Sequence, residues 1–325
     1  MKKALLVGID NYGGCILNSC KGLVDRLNDL ISFNEDLLQS YNFHSKLLLS
    51  TDDSESVSVE KATLAKINLQ LRQLFAGEGE IALLYFVGLA KLSKENSIEL
   101  MTYDGIPGRW GVSLEEIIRQ ANGATGWNEV VIILDCWFND QEIPRFSISG
   151  YNELRTGVSI LCSIMKDEVS SKMSKHGIFS KALIDGLEGC AADILGKVTV
   201  SSLYNYIDQV LSPWYHRPIF ISHINRIKPI RLVKPKISIN DLRKLTSLFI
   251  EANHEFKLKP DFEITHENFD PEKGEIFRVL QKYNQAGLVE PKDEEFMYYA
   301  AMNSKSCYLS GQGKAYWNMV NEGLI

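Results

Sequence analysis

Five consecutive aliphatic residues, Val130-Val131-Ile132-Ile133-Leu134, run without a polar neighbour and stop at Asp135-Cys136-Trp137. A strand with one face in water alternates apolar and polar residues, so an unbroken run must be covered on both faces. Ala4 to Ile9 has the same character, and Glu80 to Phe86 follows it closely. Between these runs lie segments of helical periodicity. Leu23, Leu27, Leu30, Ile31 and Leu37 form one, and Leu64, Ile67, Leu71 and Leu74 mark another from Val59 to Phe75. Shorter strands are expected at Ser45–Leu49, before polar Thr51-Asp52-Asp53-Ser54, and at Val158–Met165, with helices at Leu114–Gln120 and Gly177–Gly186. Alternation of this kind predicts an α/β fold, a mostly parallel sheet sandwiched by helices. Reactive groups in such sheets stand beyond the carboxyl ends of the strands, which points to the residues after Phe86 and after Leu134.

The alternation covers residues 1–225. A stretch rich in proline and basic residues, 226–236 with Pro229 and Pro235, reads as a linker. Residues 237–325 then read as mainly helical up to Leu288-Val289. A β hairpin is expected over Phe296–Leu309 and a last helix over about Gly313–Val320, which together suggest a small winged-helix-like α+β domain.

A chain of 325 residues suits two domains, and 45% hydrophobic with 23% charged residues is ordinary for a soluble protein. The formal net charge of −6 disfavours general attraction to nucleic acid or to anionic membrane. The first apolar run is too short for a signal-peptide core, and no segment nears the ~18 apolar residues of a membrane span. None of the six cysteines forms a CxxC pair, and a reducing cytoplasmic setting is expected. None of the six histidines has a partner at metal-ligand spacing, so neither metal nor cofactor is expected.

Six ordered segments carry a family likeness. They are Ala4-Leu-Leu-Val-Gly-Ile-Asp-Asn-Tyr12, Lys61-Ala-Thr-Leu-Ala-Lys66, Ile81-Ala-Leu-Leu-Tyr-Phe86, Ile132-Ile-Leu-Asp-Cys136, Gly177-Ile-Phe-Ser-Lys-Ala-Leu-Ile-Asp-Gly186 and Gly196-Lys-Val-Thr-Val-Ser-Ser-Leu-Tyr204. In this order they resemble the caspase and metacaspase clan, in particular the bacterial caspase family proteins. The tail segments Met297–Met302, Cys307–Ser310 and Gly313–Trp317 are similar to the ends of those bacterial proteins. The resemblance implies a cysteine protease fold, in which a thiolate attacks a peptide carbonyl and a histidine on the neighbouring strand end manages the proton.

The same alignment removes that chemistry. The family's Ser-Gly-His-Gly becomes Val87-Gly88-Leu89-Ala90, and its Asp-x-Cys-His-Ser-Gly becomes Asp135-Cys136-Trp137-Phe138-Asn139-Asp140. Leu89 cannot carry a proton and Trp137 cannot attack a carbonyl, so the chain is expected to be a pseudoprotease and not an enzyme. The family's Cys-x-Asn-Asp, whose acid helps bind a basic substrate side chain, becomes Cys20-Lys21-Gly22-Leu23, with Asp25 two positions on.

Cys136 is the residual nucleophile candidate. Adjacent strand residues point to opposite faces, which turns it away from the site as a buried structural cysteine. Trp137 and Phe138, with Val87 and Leu89, either plug the former groove or form an exposed binding patch. His44, His176 and His216 are expected to be surface or packing residues.

Residues 237–325 hold ten Lys/Arg against fourteen Asp/Glu, a balance that suits protein contact better than DNA. The expected function is a regulatory or adaptor subunit, with a protein partner that is an active caspase-like protease or a second copy of the chain. Bacterial relatives of this type suggest a setting in antiviral defence. The rival readings are a cysteine peptidase using Cys136 or a partner-supplied histidine, and a nucleic-acid or nucleotide sensor acting through the C-terminal domain.

Overall fold

The computed structural model describes residues 1–12, 15–35, 39–50, 61–93, 97–138, 154–166, 178–212, 217–225 and 227–325, and of 164–166 the backbone only. Leu37, residues 51–54, Val59, Asn139, Asp140, His176, Gly177 and His216 lie outside the described residues. The chain divides into two compact units, Met1–Ala192 with Lys197–Val233, and Asp193–Gly196 with Lys234–Ile325.

The first unit runs β1 (Lys2–Ile9), α1 (Cys20–Ser32), β2 (Phe43–Ser50), α2 (Leu64–Phe75), β3 (Gly79–Leu92), β4 (Ile98–Ile106) and β5 (Arg109–Ser113). It continues α3 (Leu114–Gly123), β6 (Trp127–Phe138), β7 (Val158–Lys166), α4 (Ile178–Asp185), β8 (Lys197–Val198), α5 (Val200–Leu211), β9 (Ile219–His223) and β10 (Arg231–Leu232). The main sheet has the order β2-β1-β3-β6-β7-β9. Pairings from β2 through β7 are parallel, and β9 closes one edge antiparallel. The sheet is therefore mainly parallel and flanked by helices on both faces, as the apolar runs predict.

Strand alternation sorts the core into two layers. Ala4, Leu6, Tyr85, Val87, Ile133 and Leu161 pack with the apolar faces of α1, α4 and α5. Leu5, Val7, Phe86, Ile132, Leu134 and Ile160 pack with α2 and α3 on the other face. Side chains one residue apart thus enter different layers.

The stretch read as a linker is in part built into this unit. Ile230 and Arg231 are buried, and β10 pairs antiparallel with β8. The Arg231 guanidinium donates to the Leu187 carbonyl at 2.6 Å and to Glu35 Oε1 at 2.6 Å. A buried guanidinium with these partners ties the segment down instead of leaving it free.

The second unit holds α6 (Ile239–Arg243), α7 (Leu245–Leu248), β11 (Glu255–Lys257), α8 (Pro271–Gln285), β12 (Val289–Pro291), α9 (Met297–Met302), β13 (Ser306–Leu309) and α10 (Gly311–Asn321). Its three strands form an antiparallel sheet of order β11-β13-β12. The expected hairpin over Phe296–Leu309 is not formed: α9 occupies its first half and β13 its second. Met297, Ala300 and Ala301 are buried at helical spacing, and this anchoring overrides the strand preference of Tyr298 and Tyr299. Among the described residues no helix is long and apolar enough to cross a membrane.

Candidate functional site

The two strands that matter, β3 and β6, run parallel and stay in register as far as Ala90 and Phe138. Leu89 is the Cα partner of Trp137, Val87 of Asp135 and Ala90 of Phe138. The two positions to which the caspase resemblance assigns imidazole and thiol are therefore cross-strand neighbours, about 4.8 Å apart along the sheet. Both side chains enter the same layer, with Val87, Tyr85 and Phe179.

The segment Val87–Ala90, expected beyond the end of the strand, is itself strand. β3 stays paired with β6 through Ala90 and takes up β4 at Ala90–Leu92. Trp137 is 2% exposed, Leu89 4%, Val87 0% and Phe138 1%. The exposed-patch alternative for these four residues is thereby overturned. Phe138 also parts company with Trp137, because it enters the opposite layer with Cys136 and Phe86. Trp137 and Leu89 are core on one face of the sheet, and Phe138 is core on the other.

Cys136 is fully enclosed on that second face. Burial, with Cys162 and Asp135 close by, raises its thiol well above the ordinary range. A thiol held neutral among hydrocarbons is a poor nucleophile. The described histidines of the first unit have other partners: His44 packs its ring 4.6 Å from Tyr41, and His223 reaches the Leu154 carbonyl at 2.7 Å. Among the described residues no group of three His, Cys, Asp or Glu could hold a metal ion.

Three features of the site were not singled out from sequence. The first is Tyr12. The strand order reverses between β1 and β3, since β2 lies outside β1, and the crevice beyond the carboxyl ends there is where ligands of open α/β sheets bind. Tyr12 follows β1 and packs against both layers. Its hydroxyl accepts the Leu89 backbone N–H at 2.7 Å. Gly88 makes room for it: a Cβ there would stand 2.2 Å from the Tyr12 oxygen. Gly88→Ala is expected to cost about 1–3 kcal/mol, as overpacking does. Pairing it with Tyr12→Phe, which removes the clashing atom, should recover part of that loss. A double-mutant cycle by urea denaturation checks this, and strict additivity would mean that the two residues do not touch.

The second feature is a buried polar relay beneath Trp137. Ser180 on α4 donates its hydroxyl to Asp135 Oδ2 at 2.5 Å and lies 2.7 Å from the Tyr85 hydroxyl. A serine has one O–H, so with Asp135 ionised the Tyr85 hydroxyl donates to Ser180. All three residues are at most 1% exposed, and Asp135 Oδ1 has no hydrogen-bond partner. Desolvation dominates and raises the carboxyl to about 6, against the opposing hydrogen bonds from Ser180.

The third is Asp10. Its Oδ1 accepts the N–H groups of Ser19 and Cys20, both at 2.8 Å, and its Oδ2 accepts that of Lys21 at 2.9 Å. A carboxylate on the free N–H groups of α1 complements the helix dipole. Asp25, the acid chosen from sequence, lies half-buried further along α1.

No family model matches the chain, and no curated protein matches it. Among solved structures it is similar to the crystal structure of caspase-1 from Spodoptera frugiperda, with 11% sequence identity and a TM-score of 0.46 over 72% of this chain and 90% of that one.

Proposed function

We propose that the first unit is a catalytically degenerate caspase-like domain and that the chain acts without cutting peptides, as a regulatory or adaptor subunit. The observation that carries this reading is the register pair Leu89–Trp137. The two positions that the caspase resemblance assigns to the dyad stand side by side at the strand ends, and a hydrocarbon and an indole fill them. The six matching segments, in order, supply the family assignment. Neither side chain transfers a proton or attacks a carbonyl, and the Tyr12 hydroxyl accepts the Leu89 backbone N–H beside them.

The second unit is read as a winged-helix-like interaction module in a cytoplasmic protein. Its partner is a caspase-like protease with its own dyad intact, or a second copy of this chain joined through the sheet edge. The enclosed Cys136 gives the peptidase alternative no support, and the acidic balance of residues 237–325 gives the nucleic-acid alternative none.

Affinity capture of the full tagged chain from its native cell tests the adaptor role. A stoichiometric partner carrying intact Ser-Gly-His-Gly and Asp-x-Cys segments is expected, with a peptidase rate that changes when the chain is added. A chain that is captured alone, stays monomeric at all concentrations and leaves every co-expressed protease unaffected would contradict it.

A further inference from the structure

Phe296, at the N-cap of α9, and the outer side of that helix are aromatic where a surface helix is ordinarily polar. Phe296 is 53% exposed, Tyr298 40% and Tyr299 49%. Their rings form one contiguous patch, with Phe296 6.2 Å and Tyr298 5.3 Å from Tyr299. The helix is held from beneath, since Met297, Ala300 and Ala301 are buried in the second unit's own core. Three rings on a firmly seated helix lose little conformational freedom on binding, which is why aromatics dominate interface hot spots.

The rim gives the patch a sign. Asp293, Glu294 and Glu295 lead directly into Phe296, and among the described residues none of the three is in an ion pair. Glu294 is fixed by Asn303 Nδ2 at 2.8 Å, and Glu290 accepts from the Tyr308 hydroxyl at 3.0 Å. Of the flanking lysines, Lys292 is taken up by Glu255 at 2.6 Å, and Lys305 lies past the other end of α9. Aromatic faces attract cations, and the carboxylates beside them add Coulomb attraction and steer encounter. The same carboxylates repel a phosphate backbone.

We infer that the aromatic face of α9, with its acidic rim, docks a protein segment that presents lysine or arginine side chains between apolar ones. This supplies the contact surface for the adaptor role and rests on that reading for its biological sense, but it is tested apart from the capture experiment. The probe is an 18-residue amphipathic peptide of lysine and leucine, with a glutamate–leucine peptide and duplex DNA of matched length as comparisons. Binding to the full chain is followed by fluorescence anisotropy at two salt concentrations, and the contact is located by hydrogen exchange.

The lysine–leucine peptide is expected to bind and to protect residues 293–302. Phe296→Ala with Tyr299→Ala should weaken it at least tenfold. Glu294→Gln with Glu295→Gln should weaken it and flatten its salt dependence. Glu295, Phe296 and Tyr299 are exposed and Glu294 is half-buried, and unchanged circular dichroism certifies the fold. The inference is overturned if the peptide does not bind, if protection appears only elsewhere, if neither double variant weakens binding, or if the glutamate–leucine peptide or the DNA binds equally well. Failure of the capture experiment with success here would leave the docking surface standing and remove the adaptor role.

Discussion

Replacing Trp137 with alanine should lower the stability of the first unit by about 3–5 kcal/mol, the range for deleting a buried tryptophan or phenylalanine. The indole is 2% exposed and packs in one layer with Leu89, Val87, Tyr85 and Phe179. Its removal leaves a hole in that layer that neighbours on fixed strands cannot close. Urea denaturation followed by circular dichroism measures the loss, taken on the transition of the first unit because two units need not unfold together. A change within about 0.5 kcal/mol is typical of exposed positions and would mean that the groove is open and Trp137 lies on its surface.

Asp135→Asn should change how stability depends on pH. The folded carboxyl titrates at about 6, raised by burial, against roughly 3.9 for an exposed aspartate. Between those values the native chain keeps a proton that the unfolded chain has released. The contribution of this group to stability is therefore present below about pH 4 and lost as pH rises through 6. A shift of about two units corresponds to about 3 kcal/mol. Asparagine carries no such cost, so the variant should gain on the wild type from pH 4 to pH 7. Unfolding midpoints across that range check it. The difference between the two curves isolates Asp135 from other buried acids such as Glu129, which burial also raises. A gap that stays constant with pH, or that moves the other way, would show that the ionised carboxylate is well solvated or paired in the native chain.

The layers of the first unit were legible because an unbroken aliphatic run has one physical solution, cover on both faces. The same period-two rule placed Cys136 opposite Trp137, and the structure puts them in different layers. Applied one residue further it separates Phe138 from Trp137 as well, so the two aromatics cannot share one surface. The extent of β3 was not legible, because Gly88 looks like a turn residue. Its real task is to let the Tyr12 hydroxyl approach the strand, a contact across 76 positions that no local pattern encodes.

The polar contacts of the site were hidden for the same reason. α1 has Ser19 at its N-cap, but that side chain makes no cap hydrogen bond and the first turn holds no acid. The cap comes from Asp10 at the end of β1. Ser180 meets Asp135 across 45 positions, and only the packing of α4 on the sheet joins them. In the second unit Tyr298 and Tyr299 favoured a strand in isolation, whereas the burial of Met297, Ala300 and Ala301 selects a helix. That same choice turns the two tyrosines and Phe296 outward.

On the proposed function, this scaffold does not hydrolyse peptides with its own side chains. The purified full chain, assayed against fluorogenic peptides with lysine, arginine or aspartate before the scissile bond, should release product no faster than buffer, and Cys136→Ala should make no difference. Release above the buffer rate that disappears in Cys136→Ala would contradict it.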